Sequence, residues 1–222
     1  ARYKITGAAI KNIIGVGLDQ SGNPNGEFLG KDASEYILSV AGKEMISPAK
    51  IPTAMLYSND LAQQNGITTS SDMAFGVINI DLETATMKAI TASKATSLRI
   101  VPVAMAQNFV QKYGDQSIEK VKELQKLNTD RLMFHGVKFM SDDAYLANTM
   151  KVEGPGYTDG HQGVSFYTSP QGLYNDMKPW WDANMQLHVH SNGTGGNQNT
   201  FPMRLLFSSS LPIQSDNRAF CM

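Results

Sequence analysis

Helical and extended patterns alternate between residues 54 and 190, and this alternation constrains the fold more than any other feature. Apolar residues spaced three and four apart predict helices within TAMLYSNDLAQQNG, DLETATMKAITAS and SIEKVKELQKL, and a further helix from Pro170. Short extended segments separate or follow them: ITTSSD, LRIVPVAM, GVKFMSD and MQLHVH. Such alternation is typical of a parallel sheet covered by helices. The sequence therefore predicts an α/β fold, either a barrel or an open doubly wound sheet, with ligands at the carboxyl ends of the strands.

Two of the predicted helices indicate which of their sides is apolar. The first carries Ala54, Tyr57 and Leu61 on one face. The helix from Pro170 is expected to direct its large apolar side chains toward a core, namely Leu173, Met177, Trp180 and Trp181. Pro179 lies inside this helix and is expected to kink it or divide it in two.

The composition excludes several classes of partner. The formal net charge is −1 over 222 residues, which argues against nucleic acid and anionic membranes. No stretch approaches the roughly 20 apolar residues of a membrane span. The segment AAIKNIIGVGL is short and contains Lys11, so no signal peptide is recognised and the cytoplasm is favoured. Cys221 is the single cysteine, so neither an internal disulfide nor a cysteine-type zinc site is expected.

Two of the predicted strands carry ionisable residues on one face. Alternation along a strand groups Lys138, Met140 and Asp142 and, on the next strand, Gln186, His188 and His190. Both faces of a parallel sheet are normally apolar, so a buried, unpaired lysine would be costly there. A partner for Lys138 is therefore expected, and a metal site would supply one. The spacing alone favours simpler alternatives: a solvated Lys138, a histidine pair hydrogen-bonded within a core, and Asp72 as a cap of the turn after its strand.

A glycine cluster follows the second of these strands. The segment GTGGNQ departs from the dinucleotide pattern G-x-G-x-x-G, because Gln198 stands where the third glycine belongs. The P-loop pattern is absent from the sequence as well. Phosphate or nucleotide binding at Gly193–Gly196 is therefore the least favoured function, and the glycines are expected to form a turn that leads the chain away from the strand.

Five segments resemble, in order and spacing, those of metal-dependent amidohydrolases of the amidohydrolase 3 type, within the TIM-barrel amidohydrolase superfamily. They are LDQSGNPNGEF, LAQQNGITTSSDM, LRIVPVAM, GVKFMSDDA and ANMQLHVHSNGTGGNQNT, which span Leu18 to Thr200. The resemblance implies a partial (β/α)₈ barrel of about four parallel strands with flanking helices. Residues 1–53 would be a loop-rich N-terminal segment, 54–200 would hold strands two to five of the barrel, and 201–222 would be a tail without assignment.

The same resemblance implies a metal centre. In this family a divalent metal, usually zinc, activates water to attack an amide-type carbon–nitrogen bond of a small, non-peptide substrate. By position, Lys138 and His190 would be metal ligands, Asp142 and Asp72 would support the site, and His188 would be an interior histidine with a hydrogen-bond partner.

The sequence also departs from the family. Ser71 stands where a histidine is usual, the paired histidines of the first strand are missing, and so are the later histidine and aspartate. The chain is therefore expected to supply only part of the site. Two further interpretations remain open beside a partial amidohydrolase. The first is an inactive barrel fragment or interaction module, which forms an oligomer or pairs with a complementary part of the barrel. The second is a nucleotide-binding α/β domain.

Overall fold

A computed structural model describes residues 3–13, 15–94, 96–209 and 220–221. The chain divides into two compact units. The first comprises Ala1–Ser47, Met140–Leu173 and His190–Met203, and the second comprises Pro48–Phe139, Tyr174–Val189 and Arg204–Met222. No helix among the described residues is both long enough and apolar enough to cross a membrane.

The first unit opens with a short helix α1 (Gly7–Ile10) and an antiparallel hairpin of β1 (Val16–Leu18) and β2 (Pro24–Phe28). Helix α2 (Gly30–Met45) follows directly and is 16 residues long. The prediction of a loop-rich segment over residues 1–53 missed this helix. The reason is local: the cluster of Gly, Asn and Pro that suggested loops is confined to the hairpin, and its composition hid the helical pattern behind it.

A sheet of five strands is formed almost entirely by residues of the second unit. These are β3 (Thr69–Phe75), β4 (Arg99–Met105), β5 (Val137–Met140), β6 (Leu187–His190) and β7 (Phe220–Cys221). Strand β3 pairs with β4, β4 with β5, and β6 with β7 in parallel, and β5 is hydrogen-bonded to β6. Each strand therefore lies beside the strand that precedes it in the chain.

This sequential order decides between the two α/β topologies that the pattern predicts. An open doubly wound sheet reverses its strand order at a switch point, whereas a barrel adds each strand next to the last. The order β3-β4-β5-β6-β7 contains no reversal. The α/β prediction is confirmed, and the sheet with its flanking helices is consistent with part of an α/β barrel.

Helices occupy the connections between these strands. They are α3 (Ile51–Gln64) before β3, α4 (Ile80–Ala92), the pair α5 (Ala106–Tyr113) and α6 (Ser117–Gln125), α7 (Pro170–Asp182) and α8 (Thr194–Ser209). Helix α7 begins at Pro170 as predicted, but it continues through Pro179 as one element. Helix α8 enters the segment 201–222 that the sequence left unassigned, and residues 210–219 of that segment lie outside the described part of the chain.

Aromatic side chains form much of the core of the second unit. The ring of Phe75 packs on Phe109 and Phe134 at centroid distances of 5.9 and 5.3 Å. The ring of Phe207 lies 4.9 Å from Trp181. All four apolar residues predicted to face a core from α7 are buried. Burial of rings this large is a principal source of stability in a small α/β unit.

The predicted apolar face of α3 is exposed instead of buried. Tyr57 and Leu61 are 63% and 42% exposed, Ala54 is exposed too, and the one buried residue of this helix is Asn59. Periodicity groups apolar residues on one side of a helix but contains no information on whether another element covers that side. Within the described ranges, that side of α3 remains open to solvent.

Candidate functional site

Side chains alternate along β5 and β6 as predicted. Val137 and Phe139 of β5 are buried, whereas Lys138 between them is half-buried. In β6, Leu187 and Val189 are likewise buried and His188 and His190 are half-buried. One face of these two strands therefore packs in the core, and the other presents ionisable groups.

Lys138 shares its surroundings with Asp72 in the second unit. Burial lowers the pKa of the Lys138 ammonium, and the negative charge of Asp72 opposes this shift. Asp72 was predicted to end its strand, which is wrong, because β3 continues to Phe75. It lies where the register of β3 against β4 shifts, and its Oδ1 accepts the backbone N–H of Ala74 at 3.0 Å. Asp72 therefore caps a local irregularity of β3, and its charge acts on the ammonium of Lys138.

His188 is the second ionisable group of this polar face. Burial lowers the pKa of its imidazole, and electrostatic interactions with His135 and Lys138 lower this pKa further. Its Nε2 atom is buried and has no hydrogen-bond partner among the described residues, so the expected partner is not found there. His135 was not singled out from the sequence. Gly136, with a φ of 88°, interrupts the extended geometry between His135 and β5, and strand alternation could not be carried across it.

The described residues do not form a complete metal centre. A catalytic zinc site needs three protein ligands and one open position. In the part of the chain that the structure describes, no three His, Cys, Asp or Glu side chains are grouped so as to hold a metal ion. Lys138 and His190 belong to different compact units, and their joint role as ligands stays a prediction.

Asp142 lies in the first unit and is fully buried. Its Oδ1 accepts the N–H of Asn192 at 2.8 Å. Its Oδ2 accepts the N–H groups of Gly193 at 2.7 Å and Lys151 at 3.1 Å. Three backbone donors thus converge on one carboxylate immediately before α8 begins at Thr194. Hydrogen bonds of this kind to a carboxylate are stronger than those between neutral groups, so they hold the start of α8 against Asp142.

The glycine cluster belongs to this arrangement. A Cβ on Gly193 would lie 1.8 Å from the carbonyl oxygen of Lys151, and one on Gly196 would lie 2.5 Å from Cγ of Asp142. The glycines were expected to form a turn, but Gly195 and Gly196 already belong to the first turn of α8. A helix N-terminus after a glycine-rich turn is a common phosphate position. Here the carboxylate of Asp142 takes that position, which argues against the nucleotide alternative.

His190 is held by the residues around this turn. Its Nε2 lies 2.9 Å from Nδ2 of Asn192 and 3.2 Å from the carbonyl oxygen of Asp143. The Asn192 amide also donates to that carbonyl at 3.1 Å. Asp143 is buried, and its own carboxylate accepts the N–H of Lys31 at 2.9 Å. Sequence reasoning missed Asn192, although its even spacing from His190 placed both on one side of the extended chain.

No known protein family and no curated protein matches the sequence. Two solved structures have a similar fold. One is an uncharacterized metal-dependent hydrolase from Pyrococcus horikoshii OT3, with a TM-score of 0.59 and 12% identity over 79% of this chain and 34% of that chain. The other is an uncharacterized metal-dependent hydrolase from Pyrococcus furiosus, with a TM-score of 0.59 and 14% identity over 79% of this chain and 35% of that chain.

At these identities the likeness shows the fold alone. The chain spans about a third of the length of the two solved structures that it matches. It therefore shares its α/β fold with part of each metal-dependent hydrolase.

Proposed function

We propose that this chain is part of a metal-dependent hydrolase that cleaves an amide-type carbon–nitrogen bond in a small, non-peptide substrate. One observation carries the proposal: half-buried Lys138 on β5 interacts electrostatically with Asp72 on β3 and with half-buried His188 on β6, all in one sequentially ordered sheet. The names of the two structural neighbours support the hydrolase class, and the segments that resemble amidohydrolases support the bond type.

The chain would supply only part of the metal centre. Lys138 and His190 are the proposed ligands, and zinc is the proposed metal. Because no three His, Cys, Asp or Glu side chains are grouped to hold a metal among the described residues, the remaining ligands would come from a complementary part of the barrel. No catalytic step is assigned to the residues of this chain by themselves.

Cobalt and zinc titrations of the purified chain test this proposal. Cobalt reports an imidazole ligand through its visible absorption, and calorimetry gives the zinc affinity. We expect weak binding at one site, and we expect Lys138→Met and His190→Gln each to weaken it about tenfold or more. Lys112→Met is the matched control, because Lys112 pairs with Asp81 on the surface at 3.0 Å. Binding that neither site variant alters would contradict the ligand assignment.

Hydrolysis of simple N-acyl substrates tests whether the site is partial. We expect no zinc-dependent turnover from the chain as a monomer. Robust turnover by a monomer would support the hydrolase class but would overturn the proposal that ligands come from elsewhere.

A second candidate function is that of an interaction module without catalysis. The exposed apolar side chains of α3 favour it: Leu56, Tyr57 and Leu61 are 42%, 63% and 42% exposed. Contiguous exposed apolar residues commonly mark an interface. Light scattering during size-exclusion chromatography distinguishes the candidates, since a module that acts by self-association should form a dimer that Leu61→Lys disrupts.

A further inference from the structure

We propose that Asn192, anchored by Asp142, is a positioning residue that fixes His190 in the tautomer with its proton on Nδ1. This inference goes beyond the proposed function, because it concerns the chain without metal, in which the electron pair of Nε2 already accepts a hydrogen bond from Asn192. The tautomer itself is a property of the chain without metal, so it can be measured whether or not a metal binds.

Three polar atoms form a close triangle in the first unit. They are Nε2 of His190, Nδ2 of Asn192 and the carbonyl oxygen of Asp143, and the three distances between them are 2.9, 3.1 and 3.2 Å. A carbonyl oxygen only accepts, an amide nitrogen only donates, and Nε2 does one or the other according to the tautomer. The protonation of His190 therefore decides which sides of the triangle are hydrogen bonds.

With the proton of His190 on Nδ1, two sides of the triangle are hydrogen bonds. The Asn192 amide then uses its two hydrogens separately, one toward Nε2 at 2.9 Å and one toward the Asp143 carbonyl at 3.1 Å. The remaining contact, between two acceptors, is the longest of the three at 3.2 Å.

The other tautomer fits less well. With the proton on Nε2, His190 would donate to the Asp143 carbonyl at 3.2 Å, but two donors would then face each other at 2.9 Å. Rotating the Asn192 amide by half a turn removes that clash. It also makes one hydrogen of His190 serve two acceptors and brings the amide oxygen within 3.1 Å of the carbonyl oxygen. The 2.9 Å contact between Nε2 of His190 and Nδ2 of Asn192 thus favours the tautomer in which Nε2 accepts a hydrogen bond.

Asp142 holds the backbone of Asn192 where the side-chain amide of Asn192 can donate to Nε2 of His190. Its carboxylate accepts the N–H of Asn192 at 2.8 Å and of Gly193 at 2.7 Å, and it is fully buried. The backbone at Asn192 is therefore anchored directly beside the side chain that meets His190. Removing the carboxylate should release this segment and, with it, the preference for one tautomer.

Nitrogen NMR of the imidazole rings tests the proposal. The chain has 4 histidines, so single His→Gln variants assign their signals. At about pH 8 an ordinary imidazole is neutral and its two nitrogens report the tautomer. We expect Nε2 of His190 to show the resonance of an unprotonated nitrogen. A protonated Nε2 in the wild-type chain would overturn the proposal.

Two substitutions at one position have opposite expected results. Asn192→Ala removes the donor and should leave His190 as a mixture of tautomers. Asn192→Asp keeps the shape but can only accept, so it should move the proton to Nε2. An unchanged His190 signal in both variants would overturn the proposal, even if zinc binding were normal. Asn197→Ala is the matched control, since the Asn197 side chain accepts a hydrogen bond from Ser191 at 2.8 Å instead of meeting the Nε2 atom of His190.

Asp142→Asn tests the anchor separately. We expect the backbone amide signals of Asn192 and Gly193 to shift and the His190 tautomer to become mixed, while the other three histidines keep their signals. A folded Asp142→Asn protein with the wild-type His190 tautomer would contradict the role given to Asp142. Loss of zinc binding with an intact tautomer would count against the proposed function but not against this inference.

Discussion

The carboxylate of Asp142 accepts the backbone N–H of Gly193 at a distance of 2.7 Å, and both residues are buried. This one contact explains why a glycine-rich turn follows β6. The chain must bring its backbone close to a carboxylate, and a side chain at residue 193 would collide with the backbone of Lys151. The anion that the turn holds is thus part of the protein itself.

Loss of this carboxylate should destabilise the fold. Asp142→Ala leaves the N–H groups of Lys151, Asn192 and Gly193 without an acceptor. The N–H of Gly193 is buried, and a buried, unsatisfied donor costs about 1–3 kcal/mol, so we expect a loss of at least about 1 kcal/mol in the free energy of unfolding. Urea denaturation followed by circular dichroism measures it. Asp130→Asn, at an exposed position, should change stability by no more than about 0.5 kcal/mol.

Gly196→Ala should destabilise the chain although residue 196 lies in a helix. Replacing a helical glycine by alanine ordinarily gains up to about 1 kcal/mol. At Gly196 the new methyl group would lie 2.5 Å from Cγ of Asp142, so the sign should reverse. At Gly42 in α2 the nearest atom is 3.9 Å away, and Gly42→Ala should therefore be neutral or stabilising. Equal effects of the two substitutions on the thermal midpoint would contradict this account.

The parts of the fold that the sequence predicted are those governed by local periodicity. Strands β4, β5 and β6 and helices α4 and α6 have patterns that short-range spacing determines, and the alternation of Lys138 with its buried neighbours follows from strand geometry. Helix α8 was missed because glycines are poor helix formers. Their presence there is explained only by Asp142, which lies 51 residues from Gly193 in the chain.

The site was less predictable than the fold. Spacing placed His188 and His190 on one face, but it could not indicate that Asn192 and the Asp143 carbonyl meet the ring of His190. Those contacts depend on where the loop after β5 returns, which no local pattern specifies. The influence of His135 on the pKa of His188 could not be predicted either. Gly136, with its positive φ, separates His135 from β5, so the alternation of side chains along the strand does not extend to His135.

Substitutions on the exposed face of α3 should have little effect on the stability of this chain. Leu61 is 42% exposed, so Leu61→Ser should change the free energy of unfolding by no more than about 0.5 kcal/mol. Leu187 in β6 is fully buried, and Leu187→Ala should cost about 2–5 kcal/mol. Chemical denaturation of both variants measures the difference. A large loss in Leu61→Ser would show that α3 is covered in solution.

His188 should make stability fall as the solution becomes acidic. Its folded pKa lies below the ordinary value of 6.5, chiefly through burial, so the unfolded chain binds this proton more readily. The contribution of neutral His188 to the free energy of unfolding is complete above pH 6.5. It is lost as the pH falls from 6.5 to the lower pKa that His188 has in the folded chain. Unfolding free energies across this interval measure the slope. His188→Gln should flatten it, whereas His161→Gln, in an exposed loop, should not.

Lys138→Met should raise the pKa of His188. The ammonium of Lys138 is one of the causes that lower this pKa, and methionine has a similar shape without the charge. We expect only a partial return toward 6.5, because burial is the largest cause and remains in the variant. Proton NMR titration of the His188 ring measures the change. Lys112→Met, a surface substitution on α5, should leave the titration unaltered. A His188 pKa that falls in Lys138→Met would show that the two side chains do not interact as the structure indicates.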